Sequence, residues 1–191
     1  MDSLVGEYER IANQHSEADR YFFARAVLGS SVIRAFQEGS KPVIMRALLK
    51  LDIRGLRKAR SQRAYKEMFE EQLEYLAKAV RRSNRQNARV KPGLKWGHAT
   101  KVLCLYHRDM VVHSQYFTRN TADRLSGYLF APIDGIVIDR LVSLGYDPEV
   151  SNIKSIDTKR KFYKIQTDLG VAAKKVNASR VWFDDNWGDR Q

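Results

Sequence analysis

One cysteine, four prolines and no long apolar run are the scarcities that bound this chain of 191 residues. With Cys104 as its only thiol, the chain can form no internal disulfide and no multi-cysteine metal site. Cys104 sits in the apolar run KVLCLY, where a thiol behaves as a small hydrophobe. A reducing, intracellular setting is therefore expected, cytoplasmic or nucleoid-associated. No stretch approaches the ~20 apolar residues of a membrane helix, and the opening MDSLVGEYERIANQ carries acids where a targeting segment would be apolar. A soluble protein with no membrane partner is the expectation. Apolar and polar residues alternate nowhere over a useful length, which argues against half-buried strands. Also missing are the GxxxxGK phosphate loop, a GxGxxG after a strand and the GxSxG nucleophile elbow, which sets aside the familiar ATPases, dehydrogenases and hydrolases. His98, His107 and His113 are nine and six residues apart and form no HExxH-type pair, so neither a metal nor another cofactor is expected.

What is present is positive charge in one place. Between Lys41 and Lys101 lie seventeen Lys and Arg against five acids, so the whole formal excess of +12 falls in this third of the chain. A local excess of this kind is the electrostatic footprint of a phosphate-backbone binder. DNA or another nucleic acid is the expected partner; an acidic protein or membrane surface, or a solvated face with no partner, are the alternatives that charge alone leaves open.

Apolar periodicity predicts helices throughout. Ser16 caps EADRYFFARAVLGSSVIRAF, with Phe22, Val27, Val32, Ile33 and Phe36 offered to the core and Gly39 at its end. Ser40 and Pro42 start the next helix, since proline is tolerated in a first turn, and Gly55 interrupts the chain beyond it. From Ser61, Tyr65, Met68, Phe69, Leu73, Leu76 and Val80 recur at steps of three and four, the mark of an amphipathic helix. Residues 83–93 read as a loop, Thr100 to Val112 as a buried helix, and a short helix starts from Thr121. Pro132 opens another that Gly145 ends, and Asp157 begins the last. The fold class is all-α, a multi-helix bundle in a single domain of seven or eight helices, with two lobes at about 1–90 and 91–191 and a cleft between them.

The pieces KPGLKWGHATKVLCLY and APIDGIVIDRL together resemble the helix-hairpin-helix DNA glycosylase superfamily, and also a branch of that fold associated with phage enzymes that modify thymine bases. In that family a Pro-Gly-hydrophobic-Gly hairpin leads into a helix bearing a lysine nucleophile, and a Pro-hydrophobic-Asp sequence starts the helix of the essential aspartate. Pro92, Gly93, Leu94 and Gly97 resemble the hairpin, Lys101 the nucleophile, and Pro132-Ile133-Asp134 the aspartate start. Two extra residues, Lys95 and Trp96, stand before Gly97, and thirty-two residues separate Lys101 from Asp134. The resemblance covers residues 92–140. It implies an all-helical, glycosylase-like bundle that flips a base into a pocket between its lobes.

The residue types suit that chemistry. A lysine that attacks a sugar carbon must give up a proton first, and a carboxylate at a helix N-terminus is placed to take a proton or to stabilise positive charge at the sugar. The ordinary roles are a phosphate contact for Lys101 and a helix cap for Asp134. Arg57, Lys58, Arg60, Arg63, Arg81, Arg82, Arg85, Arg89, Lys91 and Lys95 form the expected grip on the phosphates. Gly93 and Gly97 allow close backbone approach, and Trp96 and His98 stand ready for a base or phosphate. Acting on a nucleobase or its glycosidic bond through Lys101 and Asp134 is the first expectation. A non-catalytic nucleic-acid-binding or regulatory protein of the same fold is the second.

Overall fold

The computed structural model describes residues 17–29, 36, 39–86 and 96–184, and gives only the backbone of 81–86 and 184. Among these residues there are seven α-helices and no strand. They are α1 (17–29), α2 (Ser40–Leu49), α3 (Gln62–Gln86), α4 (Trp96–Arg108), α5 (Arg119–Ser126), α6 (Gly135–Ser143) and α7 (Lys159–Lys175). Short 3-10 turns fall at Arg54–Lys58, Ile153–Ser155 and Arg180–Asp184, and a π turn at Asp109–His113 prolongs α4. No helix among the described residues is long and apolar enough to cross a membrane.

Local chemistry sets most of the boundaries. Gly39 adopts a left-handed backbone (φ 81°) just before α2, a conformation that glycine takes without steric cost. Ser61 accepts a hydrogen bond from the Ala64 N–H at the start of α3. That helix buries Tyr65, Phe69, Leu73, Leu76 and Val80 along one stripe, as its periodicity predicts. At the end of α6, Gly145 takes φ 83°; the Tyr146 N–H returns to Leu141 O and the Gly145 N–H to Val142 O, both hydrogen bonds of a Schellman motif. Four starts differ from the sequence reading, α5 beginning at Arg119 rather than Thr121, and α3 runs on to Gln86, into the stretch 83–93 expected as a loop. Pro132 and Ile133 are buried and lie outside any helix, and α6 begins only after Asp134. Thr158, not Asp157, caps α7 by accepting from the Lys161 N–H. Helix α4 begins at Trp96, so Lys101 lies in its second turn rather than at its start. Phe22, offered to the core by its sequence position, is instead 63% exposed.

A single apolar cluster runs from Ala24 to Val181, so the two stretches expected as lobes contribute to one core. At its centre Phe69 of α3 stacks on Phe162 of α7 (5.8 Å, 4° between planes), and Phe130 meets Phe69 and Tyr65 edge-on or tilted at 5.0 and 5.1 Å. Such ring pairs contribute ~0.5–1.5 kcal/mol each beyond the area they bury.

Inside this core runs a chain of polar groups. The Tyr65 hydroxyl donates to His107 Nδ1 (3.0 Å), His107 Nε2–H donates to Gln72 Oε1 (2.7 Å), and Gln72 Nε2 donates to Asp52 O (3.1 Å). The chain ties α3 to α4 and to the turn after α2. It fixes the imidazole as the neutral Nε2–H tautomer, because Gln72 Oε1 can only accept. Burial holds the His107 pKa down to about 3 and pushes the Tyr65 phenol well above its usual range. Between pH 6.5 and 3 the unfolded chain binds a proton at this histidine that the folded chain does not. Stability from this group is complete above pH 6.5 and should fall on acidification, with a slope approaching ~1.4 kcal/mol per pH unit. Denaturant unfolding followed across that window should show the slope in the native protein and its loss in His107→Gln.

Candidate functional site

Lys101 and Asp134, thirty-three positions apart, meet in the structure: Nζ donates to Oδ2 at 2.9 Å. Both side chains are largely removed from solvent, with 9% and 15% exposed. Asp134 uses its other oxygen as the cap of α6, where Oδ1 accepts from the Val137 N–H at 3.1 Å. One carboxylate thus both caps α6 and holds the lysine. Its position at a helix N-terminus favours negative charge, and the Lys101 ammonium supplies a counter-ion beside it.

Asp134 reaches this position because residues 128–133 run as a strap across the core, outside any helix, with side chains bonding their peptide groups. Tyr128 O accepts from Gln62 Nε2 (2.9 Å) and Arg180 Nη2 (2.9 Å), and Leu129 O accepts from Arg180 Nε (2.8 Å). Gln166 of α7 takes both groups of the Ala131 residue: its Oε1 accepts from the Ala131 N–H (2.9 Å) and its Nε2 donates to Ala131 O (2.8 Å). Arg180 also lies over the Phe130 ring at 4.7 Å, and burial lowers its pKa from the ordinary arginine range. Gln166 and Arg180 escaped the sequence reading. Gln166 does leave a trace there, since it falls on the apolar stripe Phe162, Ile165, Leu169, Ala173, where a polar residue needs a buried partner.

The basic residues divide. Arg57, Lys58, Arg60 and Arg63 are exposed on the turn before α3 and its first residues. Arg57 donates to Tyr116 O at 3.0 Å and lies 5.6 Å from the Phe117 ring centre, so part of its hydrogen-bonding capacity is used inside the protein. Arg63 pairs with Glu67 at 2.9 Å, an exposed i,i+4 contact of little energetic weight. Arg60 O accepts from the Tyr128 hydroxyl at 3.1 Å, which anchors this basic surface to the start of the strap. From Tyr128 to Asp134 is at most ~20 Å of extended chain. Arg81, Arg82 and Arg85 lie on the last turns of α3, with their side chains outside the described residues, and Arg89, Lys91, Gly93 and Lys95 fall outside them altogether.

Trp96, Gly97 and His98 depart from the hairpin expectation, since all three belong to α4. Trp96 packs edge-on against Phe162 at 5.4 Å rather than projecting from a loop. His98 is buried, with its ring 6.3 Å from that of Phe36. Gly97 serves a protein contact: a Cβ there would lie 2.3 Å from Ile153 O and 3.0 Å from the Ile156 Cβ. A groove of about 430 Å³ lies between Trp96, Ala99 and the glutamates 67, 70, 71 and 74 of α3. At 100° per residue Lys101 is ~140° around α4 from Trp96, so this groove is not the surround of the Lys101–Asp134 pair. At the groove's edge, burial tends to raise the Glu70 pKa, but hydrogen bonds from Lys159 and Tyr163 outweigh it and hold the pKa below the usual value. No three His, Cys, Asp or Glu side chains among the described residues group as metal ligands.

In comparisons with protein-family models, with curated proteins and with solved structures, nothing matches this chain significantly. The site therefore has to be read from its own geometry.

Two consequences can be measured. Asp134→Asn keeps an N-cap acceptor but leaves the Lys101 charge unpaired, whereas Asp134→Ala loses the cap as well. Unfolding free energies should fall by ~3–5 kcal/mol for Asn and by a further ~1 kcal/mol for Ala, with Lys101→Met recovering much of the loss in the double variant. Gly97→Ala gains ~1 kcal/mol in helix propensity but forces the Ile153–Ser155 turn aside. A net loss of ~1–2 kcal/mol in the same unfolding assay is expected.

Proposed function

We propose that the protein binds DNA and acts on a nucleobase or its glycosidic bond through Lys101 and Asp134. The observation that carries the reading is the convergence of these two side chains at 2.9 Å from separate helices, with the carboxylate on a helix N-terminus. Asp134 Oδ2 stands where it can accept the Nζ proton. The freed lone pair of Nζ then attacks the sugar carbon, and the bond from that carbon to the base breaks with its electron pair leaving on the base, which takes up a proton. Asp134, having passed its first proton to the departing base, takes a second from Nζ; the ring C–O bond then breaks with its electron pair on the ring oxygen, which receives that proton, leaving a protonated imine between Lys101 and the sugar. Arg57, Lys58, Arg60 and Arg63 supply the phosphate contacts, joined to the site through Tyr128 and the strap. In this reading the fold is a glycosylase-like helical bundle.

One observation favours a second reading, a non-catalytic nucleic-acid-binding or regulatory protein of the same fold. Lys101 and Asp134 satisfy each other and are nearly closed to solvent, as a structural tie between α4 and α6 would be.

A salt series of binding to labelled duplex, single-stranded and abasic-analogue DNA, with borohydride in parallel samples, separates the two. The proposal expects affinity that falls steeply with salt and a reduced covalent adduct that disappears in Lys101→Ala. Binding without an adduct selects the non-catalytic reading, and absence of binding to every DNA removes both.

A further inference from the structure

We infer that Gln166 is the positioning residue of the Lys101–Asp134 pair, acting on Asp134 through the Ala131 peptide groups. This rests on reading that pair as the reactive site. Gln166 is 1% exposed, and both ends of its amide are committed to one backbone residue, Ala131, with 2.9 and 2.8 Å bonds. The two-bond contact reproduces what a neighbouring strand would offer, in a protein whose described residues contain no strand. It fixes position and rotation of the Ala131 peptide groups together, which a single hydrogen bond would not do.

Three features transmit that restraint to Asp134. Pro132 comes immediately after with its φ locked by the ring, and Ile133 is buried at 2% exposure, so little freedom remains between Ala131 and the carboxylate. Gln166 is held in turn, because its own carbonyl accepts from Arg180 Nη1 at 3.4 Å while the same guanidinium holds Leu129 O and Tyr128 O. Finally, Asp134 has to satisfy two geometries at once, Val137 N–H through Oδ1 and Lys101 Nζ through Oδ2. A small rotation of the strap breaks one or both. Gln166 touches neither Lys101 nor Asp134 in this arrangement; its effect is on where the carboxylate stands.

The test needs neither DNA nor turnover, so its outcome is independent of the adduct assay. In the full-length protein, the acylation rate of Lys101 by an amine-directed reagent is read by peptide mass spectrometry. Hydrogen exchange is followed at the Val137 amide, which Asp134 caps, and at the core amides of α3. Gln166→Met keeps the volume but offers Ala131 nothing. It should raise both Lys101 acylation and Val137 exchange by tenfold or more, with the α3 amides unchanged. Gln166→Glu keeps an acceptor for the Ala131 N–H but as a carboxylate cannot donate to its carbonyl, and should fall between; it carries the comparison if the methionine variant does not fold. Thr167→Ala, on the exposed side of the same helix, should match the native protein. Native rates at Lys101 and Val137 in the Gln166 variants would overturn the inference. A rise shared equally by the α3 amides would also overturn it, because Gln166 would then support only the fold as a whole. An adduct that forms normally alongside either result would leave the Lys101–Asp134 reading standing while removing Gln166 from it.

Discussion

A strap of backbone that crosses a helical core cannot satisfy its own peptide groups, and that constraint organises this protein. Residues 128–133 lie between α5 and α6 with no helix of their own. Each buried N–H or C=O left without a partner costs ~1–3 kcal/mol, so side chains must come to the strap from elsewhere. Gln62 arrives from α3, Gln166 from α7 and Arg180 from the turn after α7. Segments more than a hundred positions apart are thereby tied to one short stretch. Phe130, on the same stretch, fills the space between Tyr65, Phe69 and Phe162, so the apolar core and the polar clamp specify the same path. Asp134 is where that path ends and α6 begins.

At that point one carboxylate serves two partners. Capping a helix needs only an oxygen acceptor, which Asn or Ser would also provide. Pairing with Lys101 needs the charge. An ion pair this far from solvent gives up much hydration, and apolar replacements of similar size are often as stable, so its presence is weak evidence for a stability role. The other internal polar chain makes a useful contrast. Tyr65, His107 and Gln72 carry no net charge as they stand, each meets a partner, and they join three elements of the core. That network has the character of a structural device, while Lys101 and Asp134 retain a charge separation that packing alone does not require.

The sequence was most legible where structure comes from local pattern. The stripe of α3, the Gly145 punctuation and the all-helical class come from three-and-four spacing and a left-handed glycine, which need no knowledge of distant residues. Lys101 and Asp134 could be named from residue type and a resemblance, but their meeting could not, because it depends on how thirty-two intervening residues fold. The hairpin reading of Gly97 shows the opposite error. A glycine after Pro-Gly suggested space for a phosphate, whereas the close neighbour is the protein's own Ile153 carbonyl, contributed by a segment more than fifty positions later. Trp96 turned inward for a similar reason: Phe162, which it meets, lies on α7. Gln166 was visible only as a polar residue on an apolar stripe, a pattern that signals a buried partner without saying which one.

The closed state of the pair sets a condition on any chemistry. If separating Lys101 from Asp134 costs ~3–5 kcal/mol, the open form is populated at only ~10⁻² to 10⁻⁴ of the protein, and a ligand that needs it is weakened by the same factor. Stacking of a displaced base contributes ~1–3 kcal/mol, which at most reaches the bottom of that range. In the proposed reading, phosphate contacts made by the basic surface supply the rest. One hydrogen bond, from the Tyr128 hydroxyl to Arg60 O, links that surface to the strap whose movement would open the pair.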